Sequence, residues 1–223
     1  MKTRKPILWV ILIFVFILLM PLQEKFSVKN EAQASEHKPK VLLFIRKGIC
    51  HDIELMLTQE VGVMTSMLEE AGFEVIVATA SGEPIKAQTT ELIPDLELAD
   101  VKVNDYVGII MPCMAKGDMF AGWHASPEEI LLVKEAVAQG KPVAAQRGAI
   151  VILAEAGALV GKKYTYDKDL QFLDSFVGAI YSGKGVIQDG NIMTSTDCPY
   201  MARYGYDDGT SELTEIFIET IKD

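Results

Sequence analysis

Residues 141–165 read KPVAAQRGAIVILAEAGALVGKKYT, and this stretch decides the fold. Residues 142–146 have the length and apolar character of a short buried strand. Arg147-Gly148 marks a sharp turn, and the apolar run after it has the makings of a helix ending at Ala156-Gly157. The chain sets off again at Gly161-Lys162-Lys163. A strand that turns abruptly into a helix has the geometry of a nucleophile elbow. Its corner residue sits at the helix N-terminus, where backbone N–H groups receive negative charge. In an enzyme of this kind the corner is Cys or Ser; here it is Arg147.

Outward from that corner the same alternation repeats. Residues 40–46 (KVLLFIR) form a continuous apolar run, suited to a central parallel strand buried on both faces. Leu55, Val61, Met64 and Leu68 recur at helical spacing up to Gly72, a helix stop. Residues 73–79 (FEVIVAT) and 106–111 (YVGIIM) read as further strands, the latter ending at Pro112-Cys113, with residues 92–105 an extended excursion between them. Ser126-Pro127-Glu128-Glu129 is a strong helix start, with the helix running to about Gln139 before Gly140. Residues 169–176 suggest a short helix, and residues 185–195 two strands around Asp189-Gly190. A closing helix over residues 210–222 places Leu213, Ile216, Phe217 and Ile221 on one face. Strands alternating with helices predict an α/β fold with a doubly wound, mostly parallel sheet flanked by helices. Such sheets hold their sites at the carboxyl ends of strands, so the loops at 47–52, 112–114 and 147–148 should converge.

The front of the chain differs in character. Residues 1–5 are basic and residues 7–20 unbroken apolar, which reads as residues 1–22 forming an export signal or membrane anchor. Residues 23–39 are a polar tether, and residues 40–223 the α/β domain. Ala32-Gln33-Ala34 fits a small-residue cleavage site, though far from the apolar run. The basic end should stay cytoplasmic, placing the domain outside, secreted or anchored by the N-terminal segment. The formal net charge is −10, with the acidic excess concentrated after residue 34, and this excludes a nucleic-acid footprint. The three cysteines, Cys50, Cys113 and Cys198, permit one disulfide with one free thiol, or no disulfide.

Four segments in order carry a family likeness: KVLLFIRKG followed by DIEL, LEEAGFEVIVATASGEPI, VAAQRGAIVILAEAGALVGKKYT and GVIQDGNIMTSTDCP. Together they resemble the ThiJ/PfpI family, within the class I glutamine amidotransferase-like superfamily, over about residues 40–220. The resemblance implies a flavodoxin-like fold, frequent dimerisation, and relatives that include glyoxalase- or deglycase-like enzymes, peptidases, an isocyanide hydratase, chaperones and redox sensors. It also implies a Cys at the position of Arg147, commonly Ala or His at Gly148, and a Pro-Gly-Gly oxyanion loop where this chain has Pro112-Cys113-Met114. The family's downstream His corresponds to about Asp167. Its Glu beside the thiol corresponds to Glu60 on a gap-free count from Gly72, which we prefer, or to Glu54 if the D-x-E-L signature is matched.

Each candidate has a chemical reading and a plain one. Arg147 stays protonated, so it is neither nucleophile nor base. It can clamp a small anion together with Gly148, Met114 and Asp167, or it can pair with Glu60 or Glu54 and fill a dead pocket. Cys113 and Cys198 are relocated thiols, a disulfide, or inert core cysteines. Cys50-His51-Asp52 imitates a triad, but neighbouring residues rarely face one another. His124 reads as a surface histidine, the set Asp95, Glu97, Asp100 and Asp105 as a solvated face, and Met56, Met64 and Met67 as helix packing. No metal or cofactor is expected, since the ligand spacings and phosphate-loop pattern are missing from the sequence. The leading expectation is an exported pseudoenzyme that binds a small anionic ligand or is structural. The alternative is a divergent hydrolase or lyase using Glu60 or Glu54 and a relocated thiol, Cys113 or Cys198.

Overall fold

The buried runs line up as a single sheet because each is too apolar to face water on either side. A computed structural model describes residues 37–46, 50, 52–113, 124–166, 174–183 and 185–223, of which Lys38–Asp223 form one unit. Strand β1 (Lys40–Ile45) is followed by a long helix, α1, made of Ile53–Leu55, a π-helical segment Met56–Val61, and Gly62–Glu70. Strand β2 (Glu74–Thr79) follows, then a small hairpin, β3 (Ile85–Lys86) and β4 (Glu91–Leu92), and the edge strand β5 (Leu96–Glu97). Then come β6 (Gly108–Met111), helix α2 (Pro127–Ala138), β7 (Val143–Gln146) and helix α3 (Ile150–Glu155). A two-strand ladder, β8 (Lys163–Tyr164) with β9 (Ile180–Tyr181), precedes β10 (Val186–Asp189) and β11 (Ile192–Ser195). The short helix α4 (Pro199–Ala202) and the closing helix α5 (Thr210–Lys222) complete the described fold.

The main sheet has the order β10-β11-β7-β6-β1-β2-β5, and every pairing except β10 with β11 is parallel. Alternation along β1 divides the core. Leu42 and Phe44 pack on the face covered by α2 and α3, while Val41, Leu43 and Ile45 pack on the face covered by α1 and α5. This is the flavodoxin-like sandwich expected from the sequence. Helix α2 starts as its sequence dictates: Ser126 Oγ accepts from the Glu129 N–H, and the Glu129 carboxylate accepts from the Ser126 N–H.

Several boundaries differ from the sequence reading, each for a local reason. The third strand begins at Gly108 because a 3-10 turn over Val103–Asp105 takes up the preceding residues and buries Tyr106. Asp95 is more than a solvated acid: its carboxylate accepts from the Val77 N–H at 2.8 Å and its own N–H donates to the Val77 carbonyl, which seats β5 beside β2. Of the helix expected over residues 169–176, the described part is a 3-10 turn, Asp174–Phe176. Among the described residues no helix is long and apolar enough to cross a membrane, and the apolar run of residues 7–20 lies outside them.

Candidate functional site

The sheet order brings three chain segments to one place. Strands β6, β7 and β11 are neighbours in parallel register, with Met111 opposite Ala145 and Gln146 opposite Ser195. Cys113, Arg147 and Cys198 therefore leave the same end of adjacent strands, the carboxyl end where α/β folds build sites.

The β7 corner has the shape of an elbow. Arg147 has φ of 39°, the one positive φ of a non-glycine residue among the described residues. A side chain held in that region costs on the order of 1–3 kcal/mol, and the surroundings must enforce it. They do so from both sides. Arg46, 2% exposed at the end of β1, donates from Nη1 to the Gly148 carbonyl at 2.8 Å and from Nη2 to the His124 carbonyl at 3.3 Å. Its Nη2 also lies 3.9 Å from the buried Glu129 carboxylate. On the other side, the fully buried Gln146 donates from Nε2 to the Asp197 carbonyl at 2.6 Å and to Thr210 Oγ1 at 2.9 Å. Arg147 Nη1 donates to the Thr196 carbonyl at 3.2 Å. The elbow thus grips the Thr196–Asp197 backbone, and that grip positions Cys198 at the N-cap of α4.

Glu60 comes from the opposite layer. It lies in the π-helical segment of α1, is 2% exposed, and accepts a hydrogen bond from the Cys113 N–H. Burial, reinforced by negative charge at Cys198 and Asp208, pushes its carboxyl well above the usual range despite that N–H.

Cys113 and Cys198 meet above the elbow. A hydrogen bond from the Cys113 thiol, together with the N–H dipoles of Met201 and Tyr200 and the Arg147 charge, outweighs burial and draws the Cys198 thiol down to about 7. The same contact, with burial and the Glu60 carboxyl, pushes Cys113 well above its ordinary value. The two thiols therefore titrate as a pair, the first proton leaving at about 7 and the second well above the ordinary thiol value. Both are unoxidised here, Cys113 half-buried and Cys198 1% exposed.

Other candidates lie elsewhere. Glu54 is committed to Thr89 and Thr90: Thr89 donates from Oγ1 at 2.5 Å and from N–H at 2.8 Å, and the Thr90 hydroxyl adds a third bond. Those donors, Thr89 foremost, draw its carboxyl down to about 2. Glu54 is thus bonded to its threonines, Glu60 to the Cys113 amide, and Arg147 Nη1 to the Thr196 carbonyl. Asp52 caps α1 through Leu55 N–H at 2.8 Å and pairs with Arg203 at 2.6 Å. The Cys50 thiol donates to the Asp52 carbonyl at 3.4 Å, and burial raises its pKa. Cys50, Asp52, Ile53, Glu54 and Lys86 line a separate cleft of about 360 Å³. His124 Nδ1 lies 2.7 Å from Glu155. Met56 and Met64 are buried beneath α1, and Met67 is half-buried. His51, Met114 and Asp167 lie outside the described residues. Among the described residues no group of three or more His, Cys, Asp or Glu is placed to hold a metal.

Sequence reasoning missed Arg46 and Gln146. Each carried a signal: a charged and a polar residue closing an otherwise apolar, fully buried strand must find partners at that strand's end.

A mostly parallel sheet flanked by helices, with a strained strand-to-helix corner, defines a flavodoxin-like domain whose candidate site lies at the carboxyl ends of the central strands. The chain belongs to the DJ-1/PfpI family, whose profile matches residues 39–206. It is similar to an uncharacterised protein of Methanocaldococcus jannaschii, 31% identical over 179 residues, covering 79% of this chain and 83% of that one. Among solved structures it resembles the ThiJ/PfpI domain protein of Brachyspira murdochii (TM-score 0.63, 15% identity, covering 83% of this chain and 98% of that one). It also resembles DJ-1beta of Drosophila melanogaster (TM-score 0.61, 22% identity, 82% and 90% covered). At these identities the two structures speak for the fold.

Proposed function

We propose that this chain is a divergent thiol-dependent hydrolase or lyase acting on a small carbonyl compound or peptide, with Cys198 in place of an elbow nucleophile. The observation that carries this reading is the meeting of Glu60, Cys113 and Cys198 beside Arg147. The family resemblance implies a glutamate facing a thiol, and here Glu60 faces one supplied by the loop after β11. The Cys198 thiolate attacks the substrate carbonyl carbon, forming a C–S bond and moving the π electrons to oxygen. The Glu60 carboxyl serves as the proton donor, and Arg147 holds negative charge on the substrate. Methylglyoxal consumption by the intact chain tests the assignment. It should be abolished by Cys198→Ser and kept by Cys50→Ser; equal turnover in the Cys198→Ser variant sinks it.

A second reading has its own support. Arg147 places a permanent cation at a corner the family reserves for a nucleophile, which suits a non-catalytic pocket that binds a small anion. Calorimetric titration with glyoxylate decides this one: binding lost in Arg147→Met, with no turnover by the intact chain, favours the pseudoenzyme. Residues 1–22 are proposed to export or anchor the chain, and the domain to form a homodimer. Fractionation of cells expressing the intact chain and sedimentation of the purified protein test these two points.

A further inference from the structure

The geometry points to a second activity of the Cys113–Cys198 pair: reversible thiol–disulfide exchange with small-molecule disulfides, closing a bond across the elbow.

The two cysteines are far apart in sequence, yet three constraints hold them together. Strands β6 and β11 flank β7, so the segments carrying the thiols emerge on either side of Arg147. The Cys113 amide is fixed on Glu60, and the loop before Cys198 is fixed on Gln146 and Arg147. The two loops thus converge over the elbow, close enough for each thiol to shift the protonation of the other. A pair held this way has lost most of the entropy that closing a loop of some eighty residues would otherwise cost. Cys50 is different: its thiol is turned to the Asp52 carbonyl.

The exchange balances without further components. The Cys198 thiolate attacks one sulfur of a disulfide RSSR, so a Cys198–SR bond forms and RS⁻ leaves. Cys113 gives its proton to that thiolate and attacks the Cys198 sulfur. The intramolecular S–S bond forms and the second RS⁻ departs, so two electrons pass from the two protein thiols to RSSR. A thiolate available near neutrality favours the first step.

The test uses the intact chain and glutathione disulfide. After alkylating quench, peptide mass spectrometry should show loss of two thiols, a Cys113–Cys198 linkage and a free Cys50, all reversed by dithiothreitol. Cys113→Ser should stop at a stable mixed disulfide on Cys198, Cys198→Ser should form no intramolecular bond, and Cys50→Ser should behave as wild type. Circular dichroism of each variant checks that it is folded. Three alkylatable thiols after treatment, or a linkage through Cys50, overturn the proposal. Carbonyl turnover is scored separately, so its absence leaves a mapped disulfide standing.

Discussion

At the residue scale, the chemistry follows from which proton sits where. Cys198 is drawn down to about 7 chiefly by the Cys113 hydrogen bond, with smaller help from the Met201 and Tyr200 amides and Arg147. Alkylation of Cys198 by iodoacetamide, followed by peptide mass spectrometry, should therefore rise with pH through a midpoint of about 7. Cys113→Ala should move that midpoint up more than Arg147→Met does; the reverse order would show that the guanidinium dominates. Glu60 gives a prediction of opposite sign. Its native pKa lies above its unfolded one, so between the two the native state binds more protons, and stability falls as pH rises. Glu60→Gln keeps the acceptor for the Cys113 N–H but removes this liability. The variant should be little changed at pH 5, measured by urea unfolding, and gain on wild type toward pH 8 by about 1.4 kcal/mol for each pH unit lying between the unfolded and native pKa. A difference that does not vary with pH would mean Glu60 is ionised in the fold. Glu60 and the two thiols could be named from the sequence. Their meeting could not, because it depends on strand order and on an α1 turn of uncommon geometry.

At the element scale, the periodic parts of the chain were legible and the aperiodic parts were not. The apolar run of β1, the capping box of α2 and the apolar face of α5 announce themselves by spacing and polarity. The π-helical Met56–Val61 does not, since its residues suit an α-helix equally well. The short ladders β3–β4 and β8–β9 are two-residue pairings with no sequence period to detect. Packing between elements yields two predictions. A Cβ at Gly108 would lie 2.8 Å from the Phe217 ring and 2.9 Å from the Ile221 side chain, so β6 and α5 are closer than any larger residue permits. Gly108→Ala should cost about 1–3 kcal/mol in urea unfolding, and Phe217→Leu should recover part of that loss. Arg46 braces the elbow from β1. Arg46→Met strands the Gly148 carbonyl and the buried Glu129 carboxylate, at a cost of about 3–5 kcal/mol. Glu129→Gln in the same chain should restore some of it; no recovery would leave the Gly148 contact as the main contribution.

At the scale of the whole molecule, compartment and thiol state are linked. Residues 1–22 are proposed to export or anchor the chain, and disulfides persist outside the cytoplasm but seldom inside it. With three cysteines one thiol must stay unpaired, and the fold decides which: Cys113 and Cys198 are in contact, while Cys50 is bonded to its own loop. Two forms of the protein, made in one bacterial host and trapped with alkylating reagent before lysis, should then differ. The intact chain should carry a Cys113–Cys198 bond and one alkylated cysteine. A form lacking residues 1–37, retained in the cytoplasm, should carry three alkylated cysteines. The comparison separates location from chemistry, because purified samples of both forms should oxidise alike with glutathione disulfide. Identical thiol counts in the two trapped samples, with identical oxidation in the purified ones, would leave the dithiol intact and refute export as what sets its state. A closed bond would also remove the Cys198 thiolate, so carbonyl turnover by the exported form should require prior reduction, and turnover that is indifferent to dithiothreitol would mean the nucleophile lies elsewhere.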